Sequence, residues 1–143
     1  MGKKTDYREL MQQALMARRM AYAPYSNFAV GAALEAADGT VYQGCNIENA
    51  AFGPGSCAER TAFVKAVSEG QRNFRAIAIV GGPVGISEER LSPCPPCGVC
   101  RQVMREFCEP ESFEIITGSS PEEYQVYRLE ELFPLGFGPE NLG

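Results

Sequence analysis

Phe28-Ala29-Val30-Gly31-Ala32-Ala33-Leu34-Glu35-Ala36 is apolar along almost its whole length, and Thr40-Val41-Tyr42-Gln43-Gly44-Cys45-Asn46 follows it closely. A nearly unbroken apolar run is the mark of a strand covered on both faces. Asp38-Gly39 between the two runs is hairpin-turn chemistry, so the second run returns antiparallel to the first. Cover on both faces calls for helices, and the chain offers them on either side. Upstream, Thr5 is placed to cap a helix carrying Leu10, Met11, Ala14, Leu15 and Met16, with Arg18 and Arg19 near the end that tolerates positive charge. Ala23-Pro24-Tyr25-Ser26-Asn27 breaks that helix and reads as a loop. Downstream, Asn49 to Ser56 is a loop holding Gly53-Pro54-Gly55, and a helix is expected from about Cys57 to Glu69, stopped by Gly70.

Phe74-Arg75-Ala76-Ile77-Ala78-Ile79-Val80 is the strongest strand pattern in the chain. A Gly- and Pro-rich connection from Gly81 to Pro96 leads to a helix expected over Cys97 to Cys108, with Pro96 suited to its first turn. Glu111 to Thr117 and Tyr124 to Leu129 complete the strands, and Glu130 to Phe133 fits a short helix. Strands alternating with helices imply an α/β fold, a three-layer α/β/α sandwich around a mixed five-stranded sheet. The later strands, joined through helices, are expected to be parallel.

The 143 residues suit one domain over 1–143. Hydrophobic residues make up 45% and charged ones 22%, the balance of an ordinary globular chain. Thirteen basic against eighteen acidic side chains leave a net charge of −5. That balance argues against a nonspecific nucleic-acid grip, which needs Lys and Arg on phosphates, and against anionic lipid. There is no histidine, so Ser-His-Asp triads, Cys-His nucleophiles and His-ligated metals are excluded. Any metal must be held by Cys, Asp or Glu. The basic start has no apolar run after it, and no stretch approaches the roughly 20 apolar residues that span a bilayer. The expectation is a cytoplasmic protein with reduced thiols.

Six cysteines remain: Cys45, Cys57, Cys94, Cys97, Cys100 and Cys108. Pro96-Cys97-Gly98-Val99-Cys100 sets two thiols one helical turn apart on a shared face, at a helix start that lowers thiol pKa. Taken alone, the pair also fits a redox dithiol or two packed cysteines. Cys57 opens the other predicted helix. If both helices begin at the same edge of the sheet, Cys57, Cys97 and Cys100 converge, and three ligands with one open position is the catalytic zinc pattern. Three thiolates and Zn²⁺ sum to −1, which disfavours an acidic bound water. Arg60 beside the cluster and the two helix N-termini would draw off that charge. Glu59 has two readings. Ser56-Cys57-Ala58-Glu59 fits a capping box, and the same carboxylate stands two residues from a zinc ligand, placed to take a proton from water. Cys94-Pro95-Pro96-Cys97 is a second C-x-x-C, so a four-sulfur structural zinc competes, although the prolines keep Cys94 outside the helix. Cys45 and Cys108 read as small core residues.

Four ordered motifs carry a resemblance that runs through nearly the whole chain. They are Pro24-Tyr25-Ser26-Asn27-Phe28, Gly44-Cys45-Asn46-Ile47-Glu48-Asn49-Ala50, Cys57-Ala58-Glu59-Arg60-Thr61 and Pro96-Cys97-Gly98-Val99-Cys100-Arg101-Gln102. Together they make the sequence similar to the small, homotetrameric zinc-dependent cytidine deaminases. The resemblance implies one Zn²⁺ per subunit on Cys57, Cys97 and Cys100, with Arg60 supporting the thiolates. It implies zinc-bound hydroxide attacking C4 of cytidine or 2′-deoxycytidine, Glu59 as proton shuttle, and uridine and ammonia as products in pyrimidine salvage. It further implies that Asn46 and Glu48 bind the sugar 3′-hydroxyl, that Phe28 stacks on the base, and that the Ala58 backbone reads it. Phe137 would close the site of a neighbouring subunit, although composition alone would leave that tail disordered. Many relatives have Tyr where this chain has Phe52, and the connection from Ile86 to Pro96 is longer than in several of them.

A deaminase of the antibiotic blasticidin S uses the same zinc logic, but Asn46 and Glu48 favour a plain nucleoside. Polynucleotide editing lacks a basic groove. A catalytically silent relative would be expected to lose Glu59. A redox protein explains neither Cys57 nor Glu59.

Overall fold

The computed structural model describes residues 5–143. Its strands are β1 (Phe28–Ala36), β2 (Val41–Cys45), β3 (Phe74–Pro83), β4 (Glu114–Ser120) and β5 (Glu123–Arg128). The helices are α1 (Tyr7–Arg18), α2 (Ala58–Ser68), α3 (Gly98–Phe107) and the single turn α4 (Leu129–Leu132). Short 3-10 turns cover Glu88–Arg90 and Pro139–Leu142. The strands form one sheet in the order β2-β1-β3-β4-β5.

Strand direction departs from expectation only at the last pair, where β5 runs antiparallel to β4. β3 lies antiparallel against β1, pairing Gly31 with Val80, and β5 returns antiparallel from β4 through Pro121-Glu122. Only β3 and β4 are parallel neighbours. The helix-crossover rule still holds, because β2 and β3 both run against β1 and are therefore parallel to each other, with α2 between them in sequence. That has a consequence for the site. β2 and β3 end at one edge of the sheet, which is also where β1 begins. The chains that follow them, leading to α2 and α3, therefore start from the same edge.

The period-two alternation of β1 divides the core. Ala32, Leu34 and Ala36 join Ala62, Phe63, Ile77, Ile79, Met104 and Ile115 on the α2/α3 face, while Ala33 joins Leu10, Met11, Ala14, Ala78, Val80 and Ile116 under α1. These are the three layers. Phe63 is fully buried and packs at ring-centroid distances of 5.2 Å from Phe74 and 6.0 Å from Phe107. Its burial contributes roughly 1.5–3 kcal/mol and fastens α2 to α3.

Local chemistry moves several boundaries. Asp6, not Thr5, caps α1, its Oδ1 accepting from Glu9 N at 3.1 Å, while the Thr5 hydroxyl donates to Glu35 at 2.8 Å. Arg18 is buried, donating to the carbonyls of Ala29, Gly82 and Pro83. Pairing of Val30, Ala29 and Phe28 with Gly81, Gly82 and Pro83 carries β3 three residues past the predicted end at Val80. α2 begins at Ala58 with Cys57 as its N-cap, so Ser56 sits one residue too early and no capping box forms with Glu59. Gly44 on β2 lets α2 approach: a Cβ there would stand 2.6 Å from Ala62 N and closer still to the Ala58 carbonyl. Gly44→Ala is expected to push out the first turn of α2 and cost about 1–3 kcal/mol of stability, read by chemical denaturation. An unchanged denaturation midpoint would show that the close approach is not needed.

Candidate metal centre and active site

Two loops deliver the thiols from the shared sheet edge. After β2, Ile47 and Ser56 exchange both backbone bonds at 2.9 Å, folding the Gly53-Pro54-Gly55 loop back on itself. Cys57 therefore enters its cap position beside the sheet. After β3, an isolated bridge between Gly81 and Ser92 returns the long connection to the same edge. Arg101 then holds the approach to α3, its Nε donating to the Pro96 carbonyl at 2.9 Å and its Nη1 to that of Leu132. Cys57 and Cys97 are both N-caps whose side chains make no capping bond, so the sulfurs are left for other partners. Cys100 is fully buried one turn into α3.

The three Sγ atoms lie within 4.8 Å of one another, with Cys57 to Cys97 at 3.9 Å and Cys97 to Cys100 at 3.5 Å. Zinc–sulfur bonds of about 2.3 Å in tetrahedral geometry require sulfurs about 3.8 Å apart, so this donor set fits zinc. Cys94 is not part of the cluster. Its N–H donates to Thr117 Oγ1 at 3.1 Å and its thiol packs on Gly81, which holds it in the cavity wall with Pro95. Burial pushes that thiol up to about 11. All six cysteines are free, and Cys45 and Cys108 lie outside the cluster.

The thiols are electrostatically unequal. A hydrogen bond from Cys100, then one from Cys97 and the Arg60 charge, bring Cys57 down to about 6 against the opposing cost of burial. Cys100 is raised in turn, first by that same bond with Cys57. Arg60 itself donates to the Gly55 carbonyl. Among the described residues it hydrogen-bonds that carbonyl rather than a sulfur, so its effect on the cluster is that of a nearby charge. Glu59 is 5% exposed, and burial raises its carboxyl to about 7, with the Cys57 charge acting in the same direction. A carboxyl poised there can both accept and release protons at neutral pH.

A cavity of about 690 Å³ opens over this cluster, within the range of small-molecule sites. Asn46, Glu48, Phe52, Cys57, Ala58, Glu59, Arg60 and Cys97 all face it. Asn46 Oδ1 accepts from Val30 N and its Nδ2 donates to the Phe28 carbonyl, both at 2.8 Å. Glu48 Oε1 accepts from the N–H groups of Tyr25 and Ser26 at 2.9 and 3.0 Å, and its Oε2 from the Ser26 hydroxyl. These bonds, the hydroxyl's first, hold the Glu48 carboxyl below the usual carboxylate range. Tyr25 and Ser26 were not singled out by sequence for this role, although their motif was.

Phe28 does not line the cavity, and Phe137, expected at a neighbouring subunit's site, lies away from this one. Phe28 shares the sheet face of the cavity-lining Val30 but stands 40% exposed at the start of β1. Phe137 lies on the tail beside α3, 55% exposed, and its segment forms a 3-10 turn rather than a disordered end.

Fold and site together define a zinc-binding hydrolase of the α/β deaminase type. Residues 4–114 match the family model for the cytidine and deoxycytidylate deaminase zinc-binding region. A cytidine deaminase from Sporosarcina psychrophila is 45% identical over 96% of this chain and 95% of its own. The crystal structure of a Burkholderia pseudomallei cytidine deaminase superposes with a TM-score of 0.79 at 45% identity, covering 90% of this chain and 97% of that one. A Mycobacterium tuberculosis cytidine deaminase gives 0.77 at 37% identity, covering 94% and 99%. The chain belongs to the cytidine and deoxycytidylate deaminase family, and zinc is its cofactor. Among the described residues no helix is long and apolar enough to cross a membrane.

Proposed function

We propose that this protein deaminates cytidine and 2′-deoxycytidine hydrolytically, giving uridine or 2′-deoxyuridine and ammonia. The observation that carries the reading is Glu59, buried in the wall of a nucleoside-sized cavity beside a three-thiol zinc cluster. Zinc held by Cys57, Cys97 and Cys100 supplies a Lewis acid that brings the pKa of a water towards about 7. Glu59 takes a proton from the attacking water on one carboxylate oxygen and delivers it to N3 of the pyrimidine. The C4–O bond forms as the C4=N3 electron pair moves to N3 and takes that proton; the proton left on the new C4 hydroxyl then passes through the same carboxyl to N4, C4=O forms, and the C4–N4 bond breaks to release ammonia. Arg60 and the N-termini of α2 and α3 offset the negative charge of the thiolates.

The substrate is held by the other wall. Ala58 opens α2, where backbone N–H groups have no partner within the helix, and its N–H reads the base. An amide offers two hydrogens and two lone pairs, so Asn46 keeps one of each for a sugar hydroxyl after its two backbone bonds. Glu48 accepts from the 3′-hydroxyl. Neither group reads the 2′ position, so both nucleosides are substrates. Phe52 brings an aromatic face without a hydroxyl to the far end of the sugar. Phe28, next to the wall at Val30 on the same sheet face, turns onto the pyrimidine and stacks on it when the base binds, and Phe137 of a neighbouring copy closes the cavity in a homotetramer. Nucleoside salvage in the cytoplasm is the role that suits this reaction and six free thiols.

Incubation with each nucleoside, followed by ultraviolet change and ammonia release, tests the reading; no product from either would sink it. Glu48→Gln is expected to raise KM for both by about 10-fold with a smaller change in kcat, as for loss of a charge-assisted bond made equally in ground and transition states. An unchanged KM would take Glu48 out of sugar binding.

A further inference from the structure

The tail after α4 displays Leu135, Phe137 and Leu142 to solvent, yet α3 holds both its root at Leu132, the last residue of α4, and the segment beyond. Arg101 donates to the Leu132 carbonyl, Gln102 Nε2 donates to the Phe137 carbonyl at 2.8 Å, and Arg105 pairs with Glu140. Gly138 lies directly against the Arg105 guanidinium, and its N–H donates to Asn141 Oδ1 at 2.8 Å, closing the last turn. Phe137 is thus bracketed by a tether on its own carbonyl and another three residues on. The Arg105 side chain is 12% exposed whereas that of Glu140 is 61% exposed, so the tether is anchored on the helix and reached from the tail.

We propose that Gln102 and Arg105 are positioning residues that set the Phe137 ring for the cavity of a neighbouring copy of this chain. The proposal rests on the reading that Phe137 closes a neighbour's site. A ring that closes a cavity contributes only when held at stacking distance, and a free tail would lose that benefit to its own conformational entropy. The cavity that would receive it has exposed apolar side chains, Ile47, Phe52 and Val99, on its walls. The same helix carries Cys100 and is capped by Cys97, so α3 sets the zinc end of one site and the aromatic lent to the next.

A double-mutant cycle on the zinc-loaded enzyme tests this, with Arg105→Met, Phe137→Ala and their combination, reading KM for cytidine, zinc content and thermal midpoint. Glu140→Gln breaks the same ion pair from the solvent side without altering the helix. Arg105→Met and Glu140→Gln are each expected to raise KM about three- to five-fold, the effect falling on KM rather than kcat. In the Phe137→Ala background neither should raise it further, whereas damage to the zinc end of α3 would persist there. Equal KM rises with and without Phe137, or no rise beside a KM that Phe137→Ala itself raises, overturn the proposal. A Phe137→Ala enzyme with unchanged KM removes instead the reading beneath it.

Discussion

Glu59→Gln is expected to lower kcat for cytidine by at least about 100-fold while zinc stays at one ion per chain, the loss appropriate to removing a general acid–base. Glutamine has the shape of glutamate and can keep its place in the first turn of α2, but it cannot carry a proton between water, N3 and N4. Zinc content should hold because Glu59 is not among the three convergent sulfurs. Stability should not fall, since the amide replaces a carboxyl that burial already drives towards its neutral form. Steady-state turnover with metal analysis on the same sample checks both halves. Near-normal turnover would remove Glu59 from the proton path.

Cys100→Ser is expected to take zinc and activity away together. Cys100 is fully buried, so its hydroxyl replacement would sit in the same place but with a shorter reach and a proton it does not give up near neutral pH. Removing a ligand should cost more than the about 10- to 100-fold in metal affinity typical of changes to groups behind the ligands. Cys94→Ser is the contrast. Its sulfur lies outside the cluster, so that variant should keep its zinc. Zinc loss in Cys94→Ser as deep as in Cys100→Ser would mean a four-sulfur site. Zinc retained in Cys100→Ser would break the three-thiol assignment.

Legibility in the sequence varied with the range of the interactions involved. β1 is plain because its apolar run reflects burial on both faces, and the hairpin turn at Asp38-Gly39 fixes β2 beside it. The direction of β3 is not, since a helix crossover makes β2 and β3 parallel without saying that β1 lies between them. The convergence of Cys57, Cys97 and Cys100 therefore stands in the sequence only as a condition on a shared edge, and strand order supplies that edge. At the caps, neighbouring residues competed. Asp6 took the place expected of Thr5, and Cys57 that of Ser56, one residue being enough to free Glu59 from a capping box. The tail is compositionally disordered, yet α3 side chains thirty or more positions earlier bind it. Contacts at that separation leave no local pattern to read.

The most direct test of the account is conversion of cytidine by protein whose zinc content has been measured first, following ultraviolet change and released ammonia together. Uridine and ammonia in equal amounts from protein carrying one zinc per chain is the result the account requires. One zinc per chain with no turnover of cytidine would contradict it.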